Sequence, residues 1–213
     1  NDYALQSSAS FSIDAPTFSK AFLDTSAPST SGQNVTIGEQ VGYTLTISLP
    51  EGVTPALQVV DNLPAGLAFV AGSASLDTAA FAGSVSAPTV TTLGGSGDDV
   101  TFAFSNIVVT ADDDSTNNSF VLSFDALVLD VPGNVGLSDP GQTSLPNSAT
   151  LQVSSQPAVP GGTVTVTVVE PQLEIGKTFS PDEAADDDFV QVSLVLSNTG
   201  TSPAEDVVID DPL

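Results

Sequence analysis

Apolar residues recur with a period of two along almost the whole chain, and that alternation leaves little choice of fold. Val41, Tyr43, Leu45, Ile47 and Leu49 alternate with Gly42, Thr44, Thr46 and Ser48, the pattern of a strand with one buried and one wet face. Pro50 and Gly52 end it. Val100, Phe102 and Phe104 alternate with Thr101, Ala103 and Ser105, residues 163–169 alternate, and Phe120, Leu122, Phe124, Ala126 and Val128 form a longer series. No window carries the i, i+3, i+4, i+7 stripe of a helix, while 17 Gly and 15 Pro punctuate the chain at strand-length intervals. These features predict an all-β chain, an antiparallel β-sandwich of the Ig-like type.

The chain also repeats itself. Residues 41–48 (VGYTLTIS) align with 190–197 (VQVSLVLS), and Val59-Val60-Asp61-Asn62-Leu63 aligns with Ile209-Asp210-Asp211-Pro212-Leu213. Upstream, Phe18-Ser19-Lys20-Ala21-Phe22 matches Ile175-Gly176-Lys177-Thr178-Phe179. The expected organisation is a leading strand or tail of a preceding repeat at 1–12, one complete sandwich at 13–170, and the first half of a second repeat at 171–213. Half a sandwich cannot bury its own apolar faces, so the second repeat is expected to be completed by further chain or by strands of a neighbour. Asn1 to Gln6 echoes Asn147 to Gln152, which suggests a piece cut from a longer array.

Charge removes whole classes of function. Two Lys stand against 26 Asp and Glu, a formal net charge of −24, and the chain has no His or Cys. Without them there is no imidazole base, thiolate nucleophile or N/S ligand set for zinc, haem or iron–sulfur clusters. The negative field repels nucleic acid and anionic membrane surfaces. No apolar run approaches the roughly 18 residues of a membrane span, so direct membrane insertion is not expected. At 40% hydrophobic residues the chain is no disordered acidic tail. Its acidity and its Thr/Ser/Gly-rich texture favour an extracellular location.

Thr36-Ile37-Gly38-Glu39, the YTLTI strand, Asp61-Asn62-Leu63-Pro64-Ala65-Gly66-Leu67 and Asn147-Ser148-Ala149-Thr150 resemble the bacterial surface repeat called DUF11. They also resemble the related isopeptide-forming D2 domains of fimbrial proteins. The resemblance covers about 15–170 once and the opening half again. It implies Ig-like sandwiches strung in tandem along secreted adhesins, stalks, fimbriae or surface layers, with no enzymatic turnover.

The two cations, Lys20 and Lys177, occupy the same position in both copies. In the domains that this chain resembles, a first-strand Lys lies beside a last-strand Asn and a carboxylic acid, and the amine attacks the amide. Carried over, the nucleophile is Lys20, the electrophile Asn147 and the acid Asp61, with Asp125 as the alternative acid. Other readings stand beside these: Lys20 as a surface ion-pair partner of Asp14 or Asp24, Asp61 as a strand-ending turn residue, and Pro146-Asn147-Ser148 as a turn.

Carboxylates also crowd at Asp112-Asp113-Asp114 with Asn117, and at Glu174, Asp182, Asp186, Asp187 and Asp188. Such oxygen-rich loops suit calcium, the one cofactor the composition suggests, although none has EF-hand spacing and a solvated loop accounts for the same residues. The functional expectation is a structural module of a large bacterial surface protein, partnered by neighbouring repeats or further copies of itself. Two alternatives are a self-assembling extracellular filament subunit completed by a neighbour's strands, and a calcium-dependent adhesin module that binds a ligand.

Overall fold

A computed structural model describes residues 14–28, 30–134, 142–204 and 206–212. The expected leading segment lies outside them. The strands in chain order are β1 (Thr17–Thr25), β2 (Asn34–Val35), β3 (Gln40–Ser48), β4 (Gly52–Thr54) and β5 (Leu57–Asn62). There follow β6 (Leu67–Phe69), β7 (Ser75–Asp77), β8 (Gly83–Ser84), β9 (Thr89–Thr91), β10 (Val100–Ala103) and β11 (Ile107–Val109). After a single 3₁₀ turn at Ser115–Asn117 come β12 (Ser119–Val128), β13 (Gln142–Val153), β14 (Val159–Val169), β15 (Leu173–Ser180) and β16 (Gln191–Asn198).

Two sheets form an Ig-like sandwich. One runs β1-β3-β12-β6, with β7 also on β12; the other runs β2-β14-β13-β5-β10-β9. Pairing is antiparallel except for β2 against β14. The alternation seen in the sequence becomes the two faces of each strand: Tyr43, Leu45 and Ile47 of β3 and Phe120, Leu122 and Phe124 of β12 point inward, against Val59 of β5, Phe102 of β10 and Leu151 of β13. Burying such side chains stabilises the fold by roughly 1.5–3 kcal/mol each. Edge-to-face and tilted ring contacts, with centroids 5.3 Å apart for Phe102–Phe124 and 5.5 Å for Tyr43–Phe124, fix the middle of the core.

Two local features set the first strand against the last ones. Opposite the Ser148–Thr150 step of β13, β14 bulges at Gly161 and Gly162, the latter at φ +89°. The Phe18 ring of β1 rests on Gly161, where a Cβ would lie 2.4 Å from the ring. Pro146 sits inside β13 and is tolerated because pairing with β5 begins only at Ser148, which leaves no ladder bond for the missing N–H to make. The turn reading of Pro146-Asn147-Ser148 is therefore corrected: the segment is strand interior. The strand-ending reading of the Asp-Asn-Leu-Pro segment agrees with β5, which stops at Asn62.

β15 and β16 form a separate two-stranded sheet. Its register repeats that of β1 and β3: Lys20 faces Leu45 and Lys177 faces Leu194, while Phe18 faces Ile47 and Ile175 faces Leu196. The internal repeat found in the sequence is thus a repeat of strand pairing as well.

Candidate functional site

Three strands each carry a polar residue in a slot the alternation reserves for apolar ones. On β1 the inward series is Phe18, Lys20; on β5 it is Leu57, Val59, Asp61; on β13 it is Leu145, Asn147, Ala149, Leu151. Asp61 faces Ala149 across the β5–β13 ladder, so Asn147 is its diagonal neighbour on the same inward face. Sheet stacking then brings β1 over β14 and β13.

The Lys20 ammonium is ion-paired with Asp61 Oδ2, and neither side chain has any exposed surface. Aromatic rings wall the pair: Lys20 Nζ lies 4.5 Å from the Tyr43 ring centroid and 5.5 Å from that of Phe124. Asn147 is fully buried, and both of its amide atoms, with Asp61 Oδ1 and Tyr43 Oη, lack an aligned hydrogen-bond partner. The amide nevertheless lies close enough to the Asp61 carboxyl and the Tyr43 hydroxyl to act on the protonation of each. Proximity is met here without the directional geometry of a hydrogen bond.

Burial governs the protonation of the group. Desolvation lowers the Lys20 amine from 10.5 to about 8, against the attraction of Asp61. It raises the Asp61 carboxyl above its ordinary value, against the pull of Lys20 and Asn147, with Asp99 adding to the rise. It also raises the Tyr43 hydroxyl. Both partners of the ion pair are displaced toward their neutral forms, free amine and protonated acid.

The structure brings together Lys20, Asp61 and Asn147 and leaves Asp125 out. Asp125 occupies an outward slot of β12 between buried Phe124 and Ala126, where partial desolvation and then the nearby Asp24 charge raise its carboxyl. As the alternative acid it is corrected: strand parity turns it away from Lys20. The surface-pair reading of Lys20 with Asp14 or Asp24 is corrected too, since its partner is Asp61 and both are buried. Tyr43 is the member of this group that the sequence reading misses. Its signal was a polar tip within an inward apolar series.

The acidic loops are built differently. Asp112 Oδ1 accepts from Asp114 N and its Oδ2 from Asn117 Nδ2, while Asp114 caps the 3₁₀ turn by accepting from Thr116 N and Oγ1. Asp113 takes the left-handed conformation at φ +59°. Asp188 accepts from Ala185 N. Glu174 lies on β15, apart from Asp182, Asp186 and Asp187 in the following loop. Among the described residues no three carboxylates are gathered around one point. A surface groove of about 720 Å³ is walled by Pro16, Pro50, Pro55, Pro157 and Pro160 and lies apart from these loops.

No family model and no curated protein matches the sequence. Similar solved structures include the pilus backbone protein RrgB of Streptococcus pneumoniae, at 16% identity over 68% of this chain and 32% of that one, with a TM-score of 0.41. The N-terminal domain of the Streptococcus gordonii adhesin Sgo0707 matches at 12% over 72% and 32%, TM-score 0.43. The T6 backbone pilin of Streptococcus pyogenes matches at 16% over 76% and 37%, TM-score 0.41. The chain spans about a third of each of these proteins.

Proposed function

We propose that the chain is a non-enzymatic structural module of a bacterial cell-surface protein, a piece of a stalk, fibre or layer. In this reading residues 13–170 form a sandwich locked by a Lys20–Asn147 amide, and 171–213 open a second repeat of the DUF11 kind. One observation carries it: a fully buried asparagine whose amide lies against a buried, neutral-leaning Lys–Asp pair without an aligned hydrogen bond to it. A purely structural ion pair needs no such asparagine, and orphaned buried amide atoms are costly enough to be rare.

The chemistry balances without a cofactor. The ion pair passes one proton from Lys20 to Asp61, giving amine and acid. The lone pair of Lys20 Nζ attacks Asn147 Cγ while the Asp61 acid polarises the amide oxygen. The new C–N bond forms, the bond to Nδ2 breaks, and Nδ2 leaves as ammonia with a proton from the lysine nitrogen relayed by Asp61. The product joins the first strand of one sheet to the penultimate strand of the other, so tension along the chain meets a covalent bond as well as hydrogen-bond ladders.

The test is the denatured intact mass. Wild-type chain is expected to weigh one ammonia less than its sequence, and the Lys20→Ala chain its full sequence mass. Full mass in both sinks the crosslink and leaves a buried salt bridge.

A further inference from the structure

Units joined by a short stretch of chain ordinarily swing relative to one another, because boundaries between them fall in flexible segments where few contacts cross. The stretch between β14 and β15 is Glu170-Pro171-Gln172, and it is held along its whole length. Glu170 O accepts from Thr201 N at 2.9 Å and Ser202 N at 3.3 Å, and Glu170 N donates to Thr201 Oγ1 at 3.4 Å. Gln172 O accepts from Thr199 N at 2.8 Å, and Gln172 N donates to Asn198 Oδ1 at 3.1 Å. Pro171, between them, has no N–H to satisfy and a φ locked by its ring. On the other side Val168 pairs with Val35 of β2 and Val169 with Gln142 of β13. Val169 is therefore held by the sandwich and Glu170 by the loop that follows β16, with no free residue between them.

Asn198 organises that loop. Its Oδ1 also accepts from Gly200 N at 3.0 Å, an Asx turn, and its Nδ2 donates to Ser202 O at 2.8 Å. One side chain thus spans the loop and reaches the linker. Gly200 lets the two backbones meet: a Cβ there would lie 2.2 Å from Gln172 N and 2.4 Å from Glu170 O. The repeat itself does not require this arrangement. After the first copy's VGYTLTIS strand the residue in the place of Asn198 is Leu49, which is buried in the core, and Pro50 follows.

We propose that the Asn198–Ser202 loop is a clasp that joins the first sandwich and the second repeat into one stiff body, through hydrogen bonds of the chain itself. Bending and torque pass across such a junction, where a free linker would absorb them. The clasp uses neither Lys20 nor Asn147, so it stands or falls apart from the crosslink.

The test is a distance distribution from pulsed electron paramagnetic resonance on the full chain, spin-labelled through Ser86→Cys and Ser193→Cys. These positions are exposed, one in each unit, and the chain has no native cysteine. One narrow peak is expected, the same in chelator and in calcium. Three variants should each broaden it roughly twofold or more, toward the spread of a flexible linker. Asn198→Ala removes the bracket, Gly200→Ala forces the backbones apart, and Gly-Ser inserted between Val169 and Glu170 leaves the clasp intact while adding free residues. Hydrogen exchange separates loosening from unfolding: in Asn198→Ala the Gln172 and Gly200 amides should lose protection while the β15–β16 ladder keeps it. If that ladder is lost as well, the insertion variant decides, and a narrow peak there overturns the clasp. A broad distribution in the parent chain overturns it too, as does a narrow one in both Asn198→Ala and Gly200→Ala. Narrowing that requires calcium assigns the stiffness to the carboxylates at Glu174 and 182–188 and overturns it equally.

Discussion

Asp61 and Asn147 are diagonal neighbours on the inward face of adjacent strands, two residues out of direct opposition across the β5–β13 ladder. That offset matters because Asp61 must reach Lys20 on the opposite sheet and the Asn147 amide together. The observed arrangement gives the carboxyl one oxygen on the lysine and one without an aligned partner.

Removing the acid should therefore separate proximity from chemistry. Asp61→Ala leaves Lys20 and Asn147 in their strands, yet the amide oxygen loses its polarising acid and the leaving nitrogen its proton relay. Full sequence mass is expected. Relative to Asn147→Ala, which keeps the ion pair uncrosslinked, stability should also fall by about 3–5 kcal/mol, the usual cost of orphaning one member of a buried ion pair. Retention of the ammonia deficit in this variant rules out Asp61 as the acid.

Asn147→Ala removes the crosslink while preserving the ion pair. A bond that closes a loop of this length restrains the unfolded chain by about 4–5 kcal/mol in the loop-entropy account. Melting should drop by roughly 10–20 °C for a domain of this size. Equal melting of the variant and the wild-type chain excludes a covalent bond between the sheets.

Much of this site was legible because strand parity is strict. Asp125 lies between Phe124 and Ala126 in a polar slot, so the alternation that predicts β12 also turns it outward. Lys20, Asp61 and Asn147 break the alternation in the other direction, each in an apolar slot, and such breaks are expected where function overrides the pattern. Strand adjacency is not a property of local sequence. Pro146 argued for a turn at Asn147, and only the late start of the β5 ladder explains why a strand tolerates it. Glu39 was visible as part of a motif, while its burial depends on a loop folding back over it.

The pH dependence of the uncrosslinked fold follows from Lys20. Its folded value, about 8, lies below the ordinary 10.5, so between these values the unfolded chain binds more protons and stability rises with pH. The cost of burying the charge is full below about pH 8 and is relieved as pH climbs to about 10.5, a gain of at most about 3 kcal/mol. Denaturant titrations of Asn147→Ala should show this rise, and the Lys20→Met, Asn147→Ala double variant should lack it. A flat profile in the single variant contradicts a desolvated lysine.

Glu39 offers a test independent of the crosslink. It is 3% exposed, accepts hydrogen bonds from Ala27 N and Thr30 Oγ1 through Oε1, and accepts from Thr36 N through Oε2. One carboxylate thus ties together the loop between β1 and β3. Glu39→Ala should cost about 1–3 kcal/mol by leaving those half-buried donors without their acceptor. Hydrogen exchange should accelerate at the Ala27 and Thr36 amides with little change in β12. Unchanged protection there would show that the loop holds its shape without the carboxylate.

Calcium dependence is the remaining discriminator between a structural module and a calcium-dependent adhesin. Asp112 accepts through both oxygens, from Asp114 N and Asn117 Nδ2, and Asp114 accepts through Oδ1 from Thr116 N and Oγ1, the chemistry of a turn. Melting in chelator and in millimolar calcium should agree within the error of the measurement. Asp114→Ala should lower stability slightly and equally under both conditions, through the lost cap. A calcium-dependent rise that Asp114→Ala abolishes overturns the turn assignment and makes the 112–118 loop a metal site.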